Sequence, residues 1–146
     1  MTRESGTEMR ARLSLLALAG LAAGAAAVWL ATMGNAHRPT EPGPVLTFVV
    51  GASLVGSGLG AWRAWPDNRV GPVMVFTGFA WFAGLLTEAT SPLPYTIGTL
   101  IQYVWIVGFI WLLLCFPSGR LQGRIERGLV VFALVLAVGV ELVAML

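Results

Sequence analysis

Five long apolar stretches limit what this chain can fold into. Leu13–Met33 runs for 21 residues without a charge, and Val45–Trp62, Val73–Thr90, Tyr95–Phe116 and Gly128–Leu146 follow it. A helix rises about 1.5 Å per residue, so roughly 20 residues cross a ~30 Å hydrocarbon core. Lipid offers no hydrogen bonds, so a chain inside it must satisfy its own backbone, which a helix does. The expected fold is therefore all-α: a polytopic transmembrane helical bundle of about five spans, forming a single module over residues 1–146.

Charge supports this reading. Only 11% of the residues are charged, 57% are hydrophobic and the mean hydropathy is +0.80, whereas a soluble domain carries about 25% charged residues. The basic residues are nine arginines and no lysine, and the net charge is +2. The arginines are scattered between apolar runs, which is not a nucleic-acid footprint; the partner they imply is the lipid bilayer and its headgroups. A single cysteine, Cys115, excludes an internal disulfide.

No motif for a cofactor, a metal or catalysis is present. One histidine and one cysteine do not build a zinc site. Phosphate loops, zinc-protease helices and nucleophile elbows are missing, and Gly56-Ser57-Gly58 lies within an apolar run rather than after a strand. This chain alone does not read as an enzyme.

The first span has a rival in a signal peptide, because Ala25-Ala26-Ala27 resembles a cleavage site. The apolar run continues through Val28-Trp29-Leu30, past the length of an ordinary signal, and an uncleaved span is the preferred reading. Both readings orient the remainder alike. Arg3, Arg10 and Arg12 precede span one, Arg63 and Arg69 flank the turn before span three, and Arg120, Arg124 and Arg127 follow span four. These segments fall on one side and only Arg38 on the other, eight against one. The positive-inside rule makes the first side cytoplasmic, the N-terminus included, in a multi-pass protein of the plasma membrane. Arg63, Arg69, Arg120, Arg124 and Arg127 then act as cytoplasmic anchors, and Trp62 and Trp65 suit an interfacial belt.

Two small-xxx-small pairs stand out, Gly20 with Gly24 and Gly56 with Gly60. Such pairs let helix backbones approach closely. The preferred reading is packing between spans one and two of the same chain; the alternative is a homodimer interface.

Polar groups inside spans are expensive and mark functional sites by default. Glu88, Gln102 and Glu141 are the set. Glu88 lies 15 residues past Val73 and Glu141 lies 13 past Gly128, placing them about 22 and 20 Å above the inner edges of their spans. Gln102 descends seven residues from Tyr95, about 10 Å below the outer edge. The three depths nearly coincide, so a small outward-facing polar pocket is expected, with Gln102 bridging two acids.

Two turns carry a family resemblance. The hinge Phe116-Pro117-Ser118-Gly119-Arg120-Leu121 resembles the FP-[DST]-GRL hinge in the N-terminal membrane regions of actinobacterial-type sensor histidine kinases. The turn Pro66-Asp67-Asn68-Arg69-Val70-Gly71 is similar to the R-P-x-N-x-[IV]-G turn that often precedes that hinge. Order and separation agree over roughly residues 60 to 130; Ala64-Trp65 stands where an arginine is usual, and Pro72 where tryptophan is common.

The resemblance implies a membrane-anchored input module of a two-component system. In that family a cytoplasmic dimerisation helix with a phosphorylated histidine and an ATP-binding domain follow, and a response regulator receives the phosphoryl group. Neither segment lies in these 146 residues, and His37, the single histidine, falls in an outer loop. With five spans and an internal N-terminus Leu146 is outside, so a sixth span is expected before any kinase helix. The alternatives are a stand-alone small membrane protein acting as a subunit or helix-interaction partner, and a small oligomeric transporter.

Overall fold

A computed structural model describes residues 2–33, 44–116, 119–121 and 123–144, with side chains from residue 8 to 30 and from 45 onward. All regular structure among these residues is helical: α1 (Thr2–Met33), α2 (Pro44–Ala64), α3 (Val70–Gly84), a 3₁₀ turn (Leu85–Glu88), α4 (Pro92–Ile101), α5 (Val104–Cys115) and α6 (Arg124–Ala144). Counting α3 with its 3₁₀ extension as one span and α4 with α5 as another, five segments are long and apolar enough to cross a membrane. The chain is an all-α helical bundle and a multi-pass membrane protein.

Helix α3 is central and touches α1, α2, α4 and α5. Its closest partner is α2, which runs antiparallel to it. A Cβ placed on Gly58 would lie 2.8 Å from the Val75 backbone nitrogen, and one on Gly71 would lie 2.5 Å from that of Trp62. Only hydrogen fits between those backbones. Farther along the same seam Gly78 faces Val55 and the Gly51 carbonyl. Gly51 and Gly58 on α2, and Gly71 and Gly78 on α3, are each seven residues apart, two turns that return to one face.

Helix α1 packs on α2 through Gly20, which meets Val55, and Gly24, which meets Phe48 and Phe82. Ala27, Val55 and Phe82 form the buried core there. The Gly56–Gly60 pair does not share in this packing, which corrects the expectation that it joins spans one and two. Both residues are exposed, and among the described residues a Cβ on either would meet nothing within 4 Å. A four-residue step from Gly56 stays on the outward side of α2, whereas Gly51 and Gly58 lie on the side covered by α3 and Phe82.

Buried polar groups in the span interior find partners within a helix or on its neighbour. Thr77 is fully buried and its hydroxyl donates to the Val73 carbonyl at 2.8 Å. Trp81 Nε1 donates across to the Thr47 carbonyl at 3.0 Å. The Trp81 ring meets Trp105 edge-on at 4.9 Å, tying α3 to α5. Helix α6 is peripheral and packs on α4 and α5 only through one side; Val131, Phe132, Val135, Leu136 and Val143 point outward, as lipid-facing residues do.

Candidate functional site

The arginine-rich end of the bundle is built from two turns. The first connects α2 to α3. Trp65 N donates to Ala61 O at 2.9 Å and closes α2. Pro66 and Asp67 then occupy the centre of a β-turn closed by Asn68 N to Trp65 O at 3.0 Å, the position where proline's fixed φ suits the chain. The Asn68 side chain accepts from Val70 N at 3.0 Å, so the amide satisfies one of the unpaired donors that open α3.

The second turn leads out of α5. Cys115 is completely buried at its end, and Gly119 N donates back to Cys115 O at 2.7 Å. Gly119 has φ +71°, a left-handed conformation that glycine adopts without steric cost. The chain then enters α6, where Glu126 accepts from Gly123 N at 3.2 Å, the returning half of a capping box. Within the expected hinge, Phe116 is exposed, Gly119 is buried and Arg120 is exposed; Pro117 lies outside the described residues.

The two turns interlock. A Cβ on Gly119 would collide with the Asn68 carboxamide and lie 3.0 Å from Arg69 N. Two clefts flank this contact. One, of about 540 Å³, is lined by Arg69, Trp111, Gly119, Arg120, Leu121 and Arg127. The other, of about 590 Å³, is lined by Ala64 through Asn68 and by Arg120. Arg63 sits in the last turn of α2, where its charge suits the helix dipole. Arg124 begins α6 and is exposed; it lines neither cleft.

At the other end, Gln102 and Glu141 meet. Gln102 Nε2 donates to Glu141 Oε1 at 2.9 Å, linking residues 39 apart in sequence. Glu141 is buried, with 8% of its surface exposed. Gln102 stands where α4 ends and α5 has not yet begun, so the fourth span is broken rather than continuous. No proline or glycine sits at the break; Gly84 of α3 lies against the Gln102 backbone, with a Cβ there only 3.4 Å from Gln102 O.

Glu88 makes no hydrogen bond to the pair among the described residues. It is half-buried at the end of the 3₁₀ turn, and among the described residues it has no hydrogen-bond partner. The cause is local. After Gly84 the chain tightens from α to 3₁₀ geometry, and Gly98 of α4 docks directly on Leu86 and Thr87. Gln102 meanwhile reaches toward α6.

Sequence reasoning passed over Asn68 and Trp111. Asn68 stands inside the quoted turn motif, but its contact is with the second motif and not with its neighbours alone. Trp111 is one of many apolar residues in its span and gives no separate signal. Comparison with protein-family models, with characterised proteins and with solved structures finds no match for this chain.

Proposed function

We propose that this chain is the membrane input and anchoring module of a two-component sensor histidine kinase, seated in the plasma membrane with its N-terminus and arginine-bearing turns in the cytoplasm. On this reading catalysis and transfer to a response regulator belong to a cytoplasmic kinase part. One observation carries the proposal. The two turns that resemble the kinase membrane regions touch each other, through Asn68 of the first motif and Gly119 of the second. A joint between turns explains why both motifs occur together and at a fixed separation.

The joint also suggests a route for a signal. Helix α6 follows the Gly119 turn at one end and is held by Gln102 through Glu141 at the other. A stimulus that changes the polar pair would shift α6 relative to a turn that is locked in place. Peptide mapping of the native polypeptide in its own membrane tests the reading. Peptides from a histidine-bearing helix and an ATP-binding domain on the same polypeptide are expected. A native polypeptide with the mass of these 146 residues, 15.5 kDa, overturns it.

A further inference from the structure

The cleft at the arginine-rich end has a composition that calls for an anion. Arg69, Arg120 and Arg127 come from three separate segments, the turn before α3, the loop after α5 and the first turn of α6. No acidic residue lines that cleft among the described residues, and neither Arg69 nor Arg127 has an acidic partner among them. The adjacent cleft differs, because Asp67 faces it together with Arg120. Arg69 and Arg127 bring two positive charges to one space of about 540 Å³, and like charges so placed favour a counter-charge between them.

The guanidinium fork matches phosphate oxygens two at a time. The height in the membrane fits as well. Arg69 directly precedes α3 and Arg127 lies in the first turn of α6, the level at which headgroup phosphates lie. Trp111 and Leu121 supply an apolar wall beside the arginines, and Trp111 is four residues inside the end of α5, toward the glycerol and upper acyl region. Basic pockets between spans take phospholipid headgroups in this manner.

We propose that this cleft is a binding site for a phosphate group, that of an anionic phospholipid such as phosphatidylglycerol, held by Arg69, Arg120 and Arg127 against Trp111. The site stands independently of the kinase reading. A bound headgroup clamps the Asn68–Gly119 joint, since its ligands lie on both turns.

The test uses the full chain in nanodiscs containing phosphatidylcholine and phosphatidylglycerol, with retained lipid counted by native mass spectrometry after mild release. Selective retention of phosphatidylglycerol is expected. Arg69→Gln and Arg127→Gln each weaken it about fivefold, as for the loss of one arginine near a phosphate surface. Arg10→Gln, at the same end of the bundle but outside the cleft, leaves retention unchanged. Arg127→Lys covers the case of a glutamine variant that does not fold: it keeps the charge, loses the fork, and weakens retention without changing the melting temperature. A second arm adds inorganic phosphate to protein in phosphatidylcholine alone, against chloride at equal ionic strength. Stabilisation there that Arg127→Gln abolishes, with no lipid selectivity, assigns the site to a soluble phosphate. Absence of both effects overturns the site, and so does an equal loss in Arg10→Gln, which marks diffuse attraction only.

Discussion

Asn68 and Gly119 make one joint from two turns. The Asn68 carboxamide accepts from Val70 N and also fills the space where a Cβ of residue 119 would stand. The same side chain thus starts α3 and seats the chain leaving α5. Gly119 answers with a left-handed φ of +71° that no other residue adopts cheaply. Two transmembrane hairpins are registered against each other by this contact rather than by span packing alone.

Alanine at position 119 brings two separate penalties. Left-handed backbone costs a non-glycine residue about 1–2 kcal/mol, and crowding a packed position adds about 1–3 kcal/mol. Gly119→Ala is therefore expected to lower the melting temperature of the purified protein. In an Asn68→Gly background the collision with the carboxamide disappears, while the close approach to Arg69 N and the left-handed backbone cost remain. A double-mutant cycle by thermal unfolding in detergent checks this: equal effects of Gly119→Ala in both backgrounds would contradict the contact.

The α2–α3 seam makes the second prediction. Gly71→Val would thrust its side chain into the Trp62 backbone, and Gly58→Val would meet Val75 N and Gly71 O. Backbone cannot give way as a side-chain tip does, so a loss at the upper end of about 1–3 kcal/mol is expected for each. Gly56→Ala and Gly60→Ala meet nothing among the described residues and gain helix propensity, about 1 kcal/mol at most. Thermal unfolding of the four variants side by side separates the two classes.

Span number was legible because lipid demands ~20 apolar residues per crossing, and the chain meets that demand five times. Span ends were less legible. Helix α6 starts at Arg124, not at Gly128, because a charged residue at a membrane edge extends its side chain to water without ending the helix. Depth counting placed Gln102 and Glu141 together, since helical rise is constant along regular spans. The same count does not anticipate the 3₁₀ geometry after Gly84, which changes the rise of the segment that leads to Glu88. The glycine seam escaped because the eye goes to four-residue spacing, while the seam repeats every seven. The break at Gln102 has no proline or glycine to announce it in sequence; Gly84 and Glu141 meet the chain there from other helices.

Topology makes the third prediction. In a Cys115→Ala background, Ser5→Cys, Asn68→Cys and Gln122→Cys are expected to resist a membrane-impermeant thiol reagent in intact cells, and Thr40→Cys to react. The eight-to-one arginine distribution sets this expectation. Labelling of Asn68→Cys with protection of Thr40→Cys would invert the orientation and move the arginine cleft to the outer face.

The polar pair makes the last prediction. Glu141 is buried and its Oε1 is held by Gln102 Nε2. Gln102→Leu removes the donor and leaves a buried carboxyl without that partner, at a cost of about 1–3 kcal/mol. Glu141→Leu leaves the Gln102 amide similarly stranded. Replacing both partners with apolar groups leaves nothing unsatisfied, and such exchanges are often nearly neutral or stabilising. The double variant Gln102→Leu/Glu141→Leu is thus expected to be more stable than either single variant. Glu88→Gln, outside the pair, is expected to change stability by no more than about 0.5 kcal/mol. Additive losses in the double variant, measured by unfolding in detergent, would show that the two side chains do not act as a pair. Near-additivity would also remove the tie between α6 and the break in the fourth span, and with it the proposed route from that end to the Gly119 turn.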